Sequence, residues 1–249
     1  MQYNYITCEE NDGIRILTIK TASDLNPLDV ETLEEIKSCI SEYNGKTVII
    51  TGSKKAFSAG ANIKKFVGLE PATAYDFARR GHAVMDFISQ YDAPVIAAIN
   101  GYALGGGFEL ALACDFRICS PGSKFGLPEI TLGILPGWGG TQRLTRIVGE
   151  TIALDMAGSG RYISAEEALK YGLVTSIVDD PLIFAKEFAK RFSGSAPISF
   201  GLIKKLIRNY DSDLMKLEKD YFGKIFETED SKEGVKAFLE KRKPSFTGK

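Results

Sequence analysis

The sequence predicts an α/β fold that ends in an α-helical part. Three observations carry this. Short β-branched runs alternate with helix-periodic segments from Ile14 to Val178. Beyond Pro181 the strand pattern stops and helical periodicity alone continues. The chain has 249 residues, of which 44% are hydrophobic, enough to enclose one large core.

In chain order, Ile14-Arg-Ile-Leu-Thr-Ile-Lys20 is a strand, introduced by the turn residues Asn11-Asp-Gly13. Leu33, Ile36 and Ile40 recur at helical spacing, and Gly45 follows the end of that pattern. Val48–Thr51 is a short buried strand closed by the loop residues Gly52-Ser-Lys-Lys55. A longer helix from Pro71 to about Ser89 gathers Ala74, Phe77, Ala78, Val84, Met85 and Ile88 on one face. Pro94–Asn100 is an apolar run too short for a typical helix and reads as a buried strand. After it come Gly101, Gly105, Gly106 and Gly107, then a helical stretch from Phe108 to Ala113.

Asp115–Cys119 is a further strand, and the glycine-dense loop Ile134–Thr141 leads into a helix through Ile147. Ser164-Ala-Glu-Glu167 has the capping-box pattern, and Gly172 is placed to end its helix. Leu173–Val178 reads as a strand. Helices are expected over residues 184–192, 198–207, 214–226 and 235–239. The composition shift divides the chain into a core, residues 1–192, and a helical region, residues 193–249.

Lys and Arg total 31 against 32 Asp and Glu, a net charge of −1, so no global basic field recruits nucleic acid or an anionic membrane. No apolar run reaches the roughly 18 residues that span a bilayer, and Met1–Gly13 is not signal-like. A cytoplasmic protein is expected. Cys8, Cys39, Cys114 and Cys119 form no C-x-x-C pair and are expected as buried free thiols.

His82 is the only histidine, which excludes H-E-x-x-H metal sites, and no G-x-S-x-G elbow accompanies it. It lies within the 71–89 pattern and reads as a packing or surface residue. The glycines from Gly101 to Gly107 match neither G-x-G-x-x-G nor the phosphate-binding P-loop spacing. They do offer backbone N–H groups at a helix N-terminus, suited to a developing negative charge. Glu109 stands in the apolar run Phe108–Ala113, where a carboxylate is costly without partners or a task. Its plain alternative is a helix-N-terminal acid favoured by the dipole. Glu129 is a second acid in an apolar, turn-rich stretch.

Three long segments carry a resemblance. They are Ala56-Phe-Ser-Ala-Gly-Ala-Asn-Ile-Lys64, Asn100-Gly-Tyr-Ala-Leu-Gly-Gly-Gly-Phe-Glu-Leu-Ala-Leu-Ala-Cys-Asp115 and Phe125-Gly-Leu-Pro-Glu-Ile-Thr-Leu-Gly-Ile-Leu-Pro-Gly-Trp-Gly-Gly-Thr-Gln-Arg-Leu144. With Gly160–Ala168 and Glu229–Pro244, they closely resemble the enoyl-CoA hydratase/isomerase (crotonase) family over nearly the whole chain. The resemblance implies a crotonase-like spiral of β-β-α turns with a C-terminal α-helical region that forms homotrimers, often paired into hexamers. It implies an acyl-CoA thioester substrate, coenzyme A being part of that substrate, with no metal or other cofactor.

By the same resemblance, the N–H groups of Ala61 and Gly106 hold the thioester oxygen. Glu109 orients and deprotonates the water that attacks C3, and Glu129 exchanges the proton at C2. Ala59, Asn62, Ile63, Lys64 and Trp138 fall in substrate-binding motifs, while Phe222, Phe238 and Lys241 match positions that reach the nucleotide end of CoA from a neighbouring subunit. Many members carry Gly-Ala-Asp where this chain has Gly60-Ala61-Asn62. That change removes a charge and leaves the backbone donor. Trp138 either narrows the acyl subsite or packs in the core. The leading function is reversible syn hydration of 2-enoyl-CoA. The alternatives are a 3-enoyl-CoA isomerase working through Glu129 alone and a non-catalytic CoA-binding member.

Overall fold

A computed structural model of the chain describes residues 3–43, 45–53, 55–66, 70–208 and 227–249. The expected helix over residues 214–226, with Phe222, and the side chain of Phe238 lie outside the described residues.

The backbone winds as a repeated unit. An antiparallel hairpin, β1 (Ile6–Asn11) and β2 (Ile14–Ile19), precedes helix α1 (Val30–Ser41). Three turns follow, each laying one strand in a first sheet, a second strand in another sheet, and then a helix. They are β3 (Val48–Gly52), β4 (Ala56–Ser58) and α2 (Pro71–Gln90); then β5 (Val95–Ile99), β6 (Tyr102–Leu104) and α3 (Gly106–Ala113). The third is β7 (Phe116–Cys119), β8 (Lys124–Gly126) and α4 (Gly140–Val148). The first sheet has the order β1-β2-β3-β5-β7-β10, where β10 is Ser176–Ile177, and is parallel from β2 onward. The second has the order β4-β6-β8-β9, where β9 is Ile163–Ser164. This is the β-β-α spiral.

Why these runs make strands follows from burial on both faces. Val48, Ile50, Val95, Ala97 and Ile99 face the main core between the sheets and helices α1 to α3. Ile49, Ile96, Ala98 and Ile118 point the other way, under helix α7 (Pro181–Ala189) with Ala185 and Phe188. A central parallel strand covered on both sides has no polar face, hence the unbroken apolar sequence.

The sequence pattern does not mark helix α5 (Glu150–Ser159), and the expected strand Leu173–Val178 is shorter: Ser176–Ile177 pairs with β7, flanked by the Thr175 and Val178 N–H groups bonded to Arg117 O and Cys119 O. Leu173 and Val174 are buried by packing instead. The capping box is present: Ser164 Oγ accepts the Glu167 N–H, and the Glu167 carboxylate accepts the Ser164 N–H. After helix α6 (Ala165–Lys170) and α7, helix α8 (Pro197–Arg208) docks through charge. Its buried Lys204 reaches Asp115 at 2.8 Å, and Arg208 takes the other oxygen at 2.8 Å. A last helix spans Glu229–Glu240.

One cysteine expectation is corrected. Cys8 of β1 and Cys39 of α1 are joined in a disulfide. The expectation of free thiols rested on local spacing, whereas packing α1 beside the β1–β2 hairpin brings together residues 31 apart. Cys114 and Cys119 are free and buried, and burial pushes both thiols up to about 12.

Candidate active site

The site forms where all three turns of the spiral bring helix and strand ends together. At Gly105, between β6 and α3, the backbone takes φ +50°, a conformation open to glycine, and turns sharply into the helix. The first N–H groups of α3, beginning with Gly106, have no carbonyl one turn back to bond. Beside them runs Gly60–Ala61: a Cβ added to Gly60 would stand 3.6 Å from the Gly106 nitrogen. Ala61 bridges Leu28 in parallel register, and the bonds are Leu28 N to Gly60 O at 2.8 Å and Asn62 N to Leu28 O at 3.0 Å. In such a bridge the N–H of Ala61 itself points away from Leu28. Two backbone donors thus lie on adjacent segments.

Glu109, on the first turn of α3, is 2% exposed. Its Oε1 accepts the Trp138 N–H at 2.8 Å and the Gly140 N–H at 2.7 Å, both from the loop that opens α4. Burial raises its pKa, and these two donors together with the Arg143 charge oppose the shift. Arg143 braces the same loop, donating to Trp138 O at 2.8 Å and to Asp86 at 2.6 Å. Gly140 and Arg143 are site residues that the sequence motifs alone do not single out. The signal for Gly140 was present, since a glycine-dense loop opening a helix presents N–H groups whatever the acceptor.

Glu129 rides on a short 3₁₀ turn, Pro128–Leu132, started by a proline and ended by Gly133 at φ +71°. Its Oε1 would be 3.0 Å from a Cβ on Gly105, so the carboxyl lies over the N-terminus of α3. Oε2 is buried, with no hydrogen-bond partner among the described residues. Burial first, and the neighbouring Glu109 charge second, push Glu129 up to about 7.

Ala59, Ala61, Ile63, Gly106, Glu109, Glu129 and Trp138 line one cavity of about 660 Å³. Its lining is apolar apart from the two acids and the backbone donors, the character of a small-molecule site. Asn62 and Lys64 are not part of that lining. The Asn62 amide donates to Asp29 at 3.4 Å, and Lys64 is exposed. Lys241, also exposed, follows the last helix in a left-handed conformation at φ +55°. Among the described residues, no group of three or more His, Cys, Asp or Glu could hold a metal ion. Among them also, no helix is long and apolar enough to cross a membrane.

A family model described as enoyl-CoA hydratase/isomerase matches residues 9–249. The chain is 42% identical over 258 residues to a probable enoyl-CoA hydratase of Bacillus subtilis, covering 98% of this chain and 99% of that one. It is 41% identical over 260 residues to a crotonyl-CoA hydratase of Syntrophomonas wolfei, covering both completely. Its fold superimposes on the crystal structure of an enoyl-CoA hydratase from Bacillus anthracis with a TM-score of 0.91 at 37% identity, over 99% of this chain and 100% of that one.

Proposed function

Because the chain belongs to the enoyl-CoA hydratase/isomerase family, we propose that its cavity adds water reversibly, in the syn sense, to a 2-enoyl-CoA, with Glu109 and Glu129 as the acid–base pair. The thioester oxygen lies between the N–H groups of Ala61 and Gly106. Glu109, fixed through Oε1, uses Oε2 to orient a water and takes its proton as oxygen bonds to C3. The π electrons of the double bond move onto the thioester oxygen, where two backbone donors and the α3 N-terminus stabilise the enolate. As the enolate collapses, Glu129 gives its proton to C2. The pair holds one proton before and after the step, and solvent returns it to Glu129 for the next turnover. Losing one such N–H donor costs on the order of 3 kcal/mol of barrier.

The observation that carries this reading is the unequal state of the two acids in one cavity. Glu109 has one oxygen gripped by two N–H groups, while Glu129 has a raised pKa and a buried oxygen with no hydrogen-bond partner among the described residues. A structural acid would be saturated by protein donors.

The same reading makes residues 1–192 the catalytic core and residues 193–249 the oligomerisation region of a homotrimer or dimer of trimers. Phe222, Phe238 and Lys241 reach the nucleotide end of CoA bound to a neighbouring subunit. A lysine suits a phosphate as a point charge, and the exposure of Lys241 supports this assignment. The enzyme is cytoplasmic and needs no metal or redox cofactor, coenzyme A arriving with the substrate. Asn62 and Lys64 act at the rim of the cavity. The test is consumption of crotonyl-CoA, followed as loss of the conjugated enoyl-thioester absorbance. Steady loss with formation of 3-hydroxybutyryl-CoA supports the reading, and no loss at any enzyme concentration contradicts it.

A further inference from the structure

One end of the cavity is open and the other is aromatic. Ile63, Leu132 and Leu135, which line it, are 45%, 53% and 73% exposed, so this side is the mouth. At the other side Trp138 is 1% exposed. Its indole packs on Phe77 with ring centroids 5.0 Å apart, and Phe77 meets Phe66 edge-on at 5.2 Å. The indole N–H points at the Phe77 carbonyl at 3.4 Å.

Two glycines make room for this ring. A Cβ on Gly81 of α2 would stand 2.0 Å from the indole nitrogen, and a Cβ on Gly106 of α3 would stand 2.4 Å from the far edge of the ring. The indole is therefore wedged between two helices at points where neither has a side chain, and it cannot swing aside without striking backbone. The backbone N–H of Trp138 also holds Glu109 Oε1 at 2.8 Å, so the residue that carries the ring is the one that fixes the carboxylate.

These contacts determine where an acyl chain goes. With the thioester oxygen at Gly106 and C3 at Glu109, the atoms beyond C3 run into the ring that lies on Gly106. We propose that Trp138, seated between Gly81 and Gly106 and backed by Phe77, closes the acyl subsite and restricts the enzyme to short-chain 2-enoyl thioesters. This rests on the hydratase reading, since it takes the orientation of the thioester from it. Trp138 is then a specificity-determining residue, and Gly81 a positioning residue that acts through it.

The experiment compares kcat/KM for crotonyl-, hexenoyl-, octenoyl- and decenoyl-CoA in the wild-type protein, Trp138→Ala, Trp138→Phe and Phe77→Ala. A subsite with room for more methylenes would gain several-fold in kcat/KM for each one buried, whereas a closed one rejects them. The wild-type value is expected to fall at least ~10-fold from crotonyl- to decenoyl-CoA. Trp138→Ala should erase or invert that ratio, with Trp138→Phe and Phe77→Ala in between. Trp138→Phe keeps a ring in the core and serves where the alanine variant does not fold. A wild-type enzyme that hydrates decenoyl-CoA as well as crotonyl-CoA would overturn the assignment. So would an unchanged ratio in folded Trp138→Phe and Phe77→Ala. Failure of the wild-type protein to hydrate any chain length would instead overturn the hydratase reading, and the assignment with it.

Discussion

Gly140 donates its N–H to Glu109 Oε1 at 2.7 Å, and a Cβ at Gly140 would stand 2.9 Å from Glu109 Cγ and 3.0 Å from that oxygen. The close approach and the absent side chain are one feature, because the donor can reach the carboxylate only while nothing else occupies the space. Gly140→Ala should displace the Glu109 carboxylate and lower kcat by about 10²-fold, the scale for a 1 Å misplacement of a reacting group. Steady-state kinetics on a variant with unchanged circular dichroism checks this. An unaltered kcat would mean that the position of Glu109 does not set the rate.

Glu129→Gln should lose hydration by roughly 10²–10⁴-fold, the worth of a general acid–base group, and gain stability. Glu129 is raised from the ordinary 4.5 to about 7 in the folded chain. A raised carboxyl favours the folded state fully below 4.5, and this contribution is lost as pH rises through 7. The loss is on the order of 3 kcal/mol at alkaline pH. Glutamine cannot ionise, so the variant should resist urea better than wild type above pH 7, and the gain should vanish below pH 4.5. A gain of equal size at both ends would assign the effect to something other than this titration.

The pH dependence of turnover follows from the shared proton. In the proposed mechanism either direction of the reaction starts with one proton on the Glu109–Glu129 pair, and no net proton is released. In both directions, kcat/KM should therefore fall together as pH rises through about 7 and the pair loses that proton. Parallel profiles for crotonyl-CoA hydration and 3-hydroxybutyryl-CoA dehydration check it. A profile flat through this range would remove the pair from the rate law.

Asp115 accepts the Val95 N–H at 2.7 Å and pairs with both Lys204 and Arg208. Asp115→Ala leaves the Lys204 ammonium, whose side chain is 5% exposed, buried without its counter-charge. It should cost about 3–5 kcal/mol in urea unfolding. Lys204→Met should cost less than half of that, since Asp115 keeps Arg208 and Val95. Equal losses would show that the lysine, not the carboxylate, anchors helix α8.

How much of this was legible in the sequence depended on range. The strand at Val95–Ile99 could be read because burial on both faces leaves an unbroken apolar run. Strands β4, β6 and β8 have three residues each and lie among glycines, too short for any period to register. Helix α5 exposes Leu154 at 74%, which blurs its apolar stripe. Glu109 stood out as an acid in an apolar run, yet nothing local says that Trp138 and Gly140 bind it. The seat that Gly81 makes for Trp138 and the Cys8–Cys39 bond are likewise contacts between distant segments. Periodicity and composition do not encode such contacts.

Glu109→Gln separates the two proposed roles, activation of the attacking water by Glu109 and movement of the proton at C2 by Glu129. The substitution keeps the volume of a buried side chain, and binding of CoA with a cooperative melt would establish that the variant is intact. Hydration of crotonyl-CoA and isomerisation of a 3-enoyl-CoA are then measured on the same preparation. Hydration should fall at least ~10²-fold, the scale of a lost general base, and any isomerisation should fall much less, because Glu129, Ala61 and Gly106 are untouched. Hydration at the wild-type rate in the folded variant would mean that Glu109 does not activate the water.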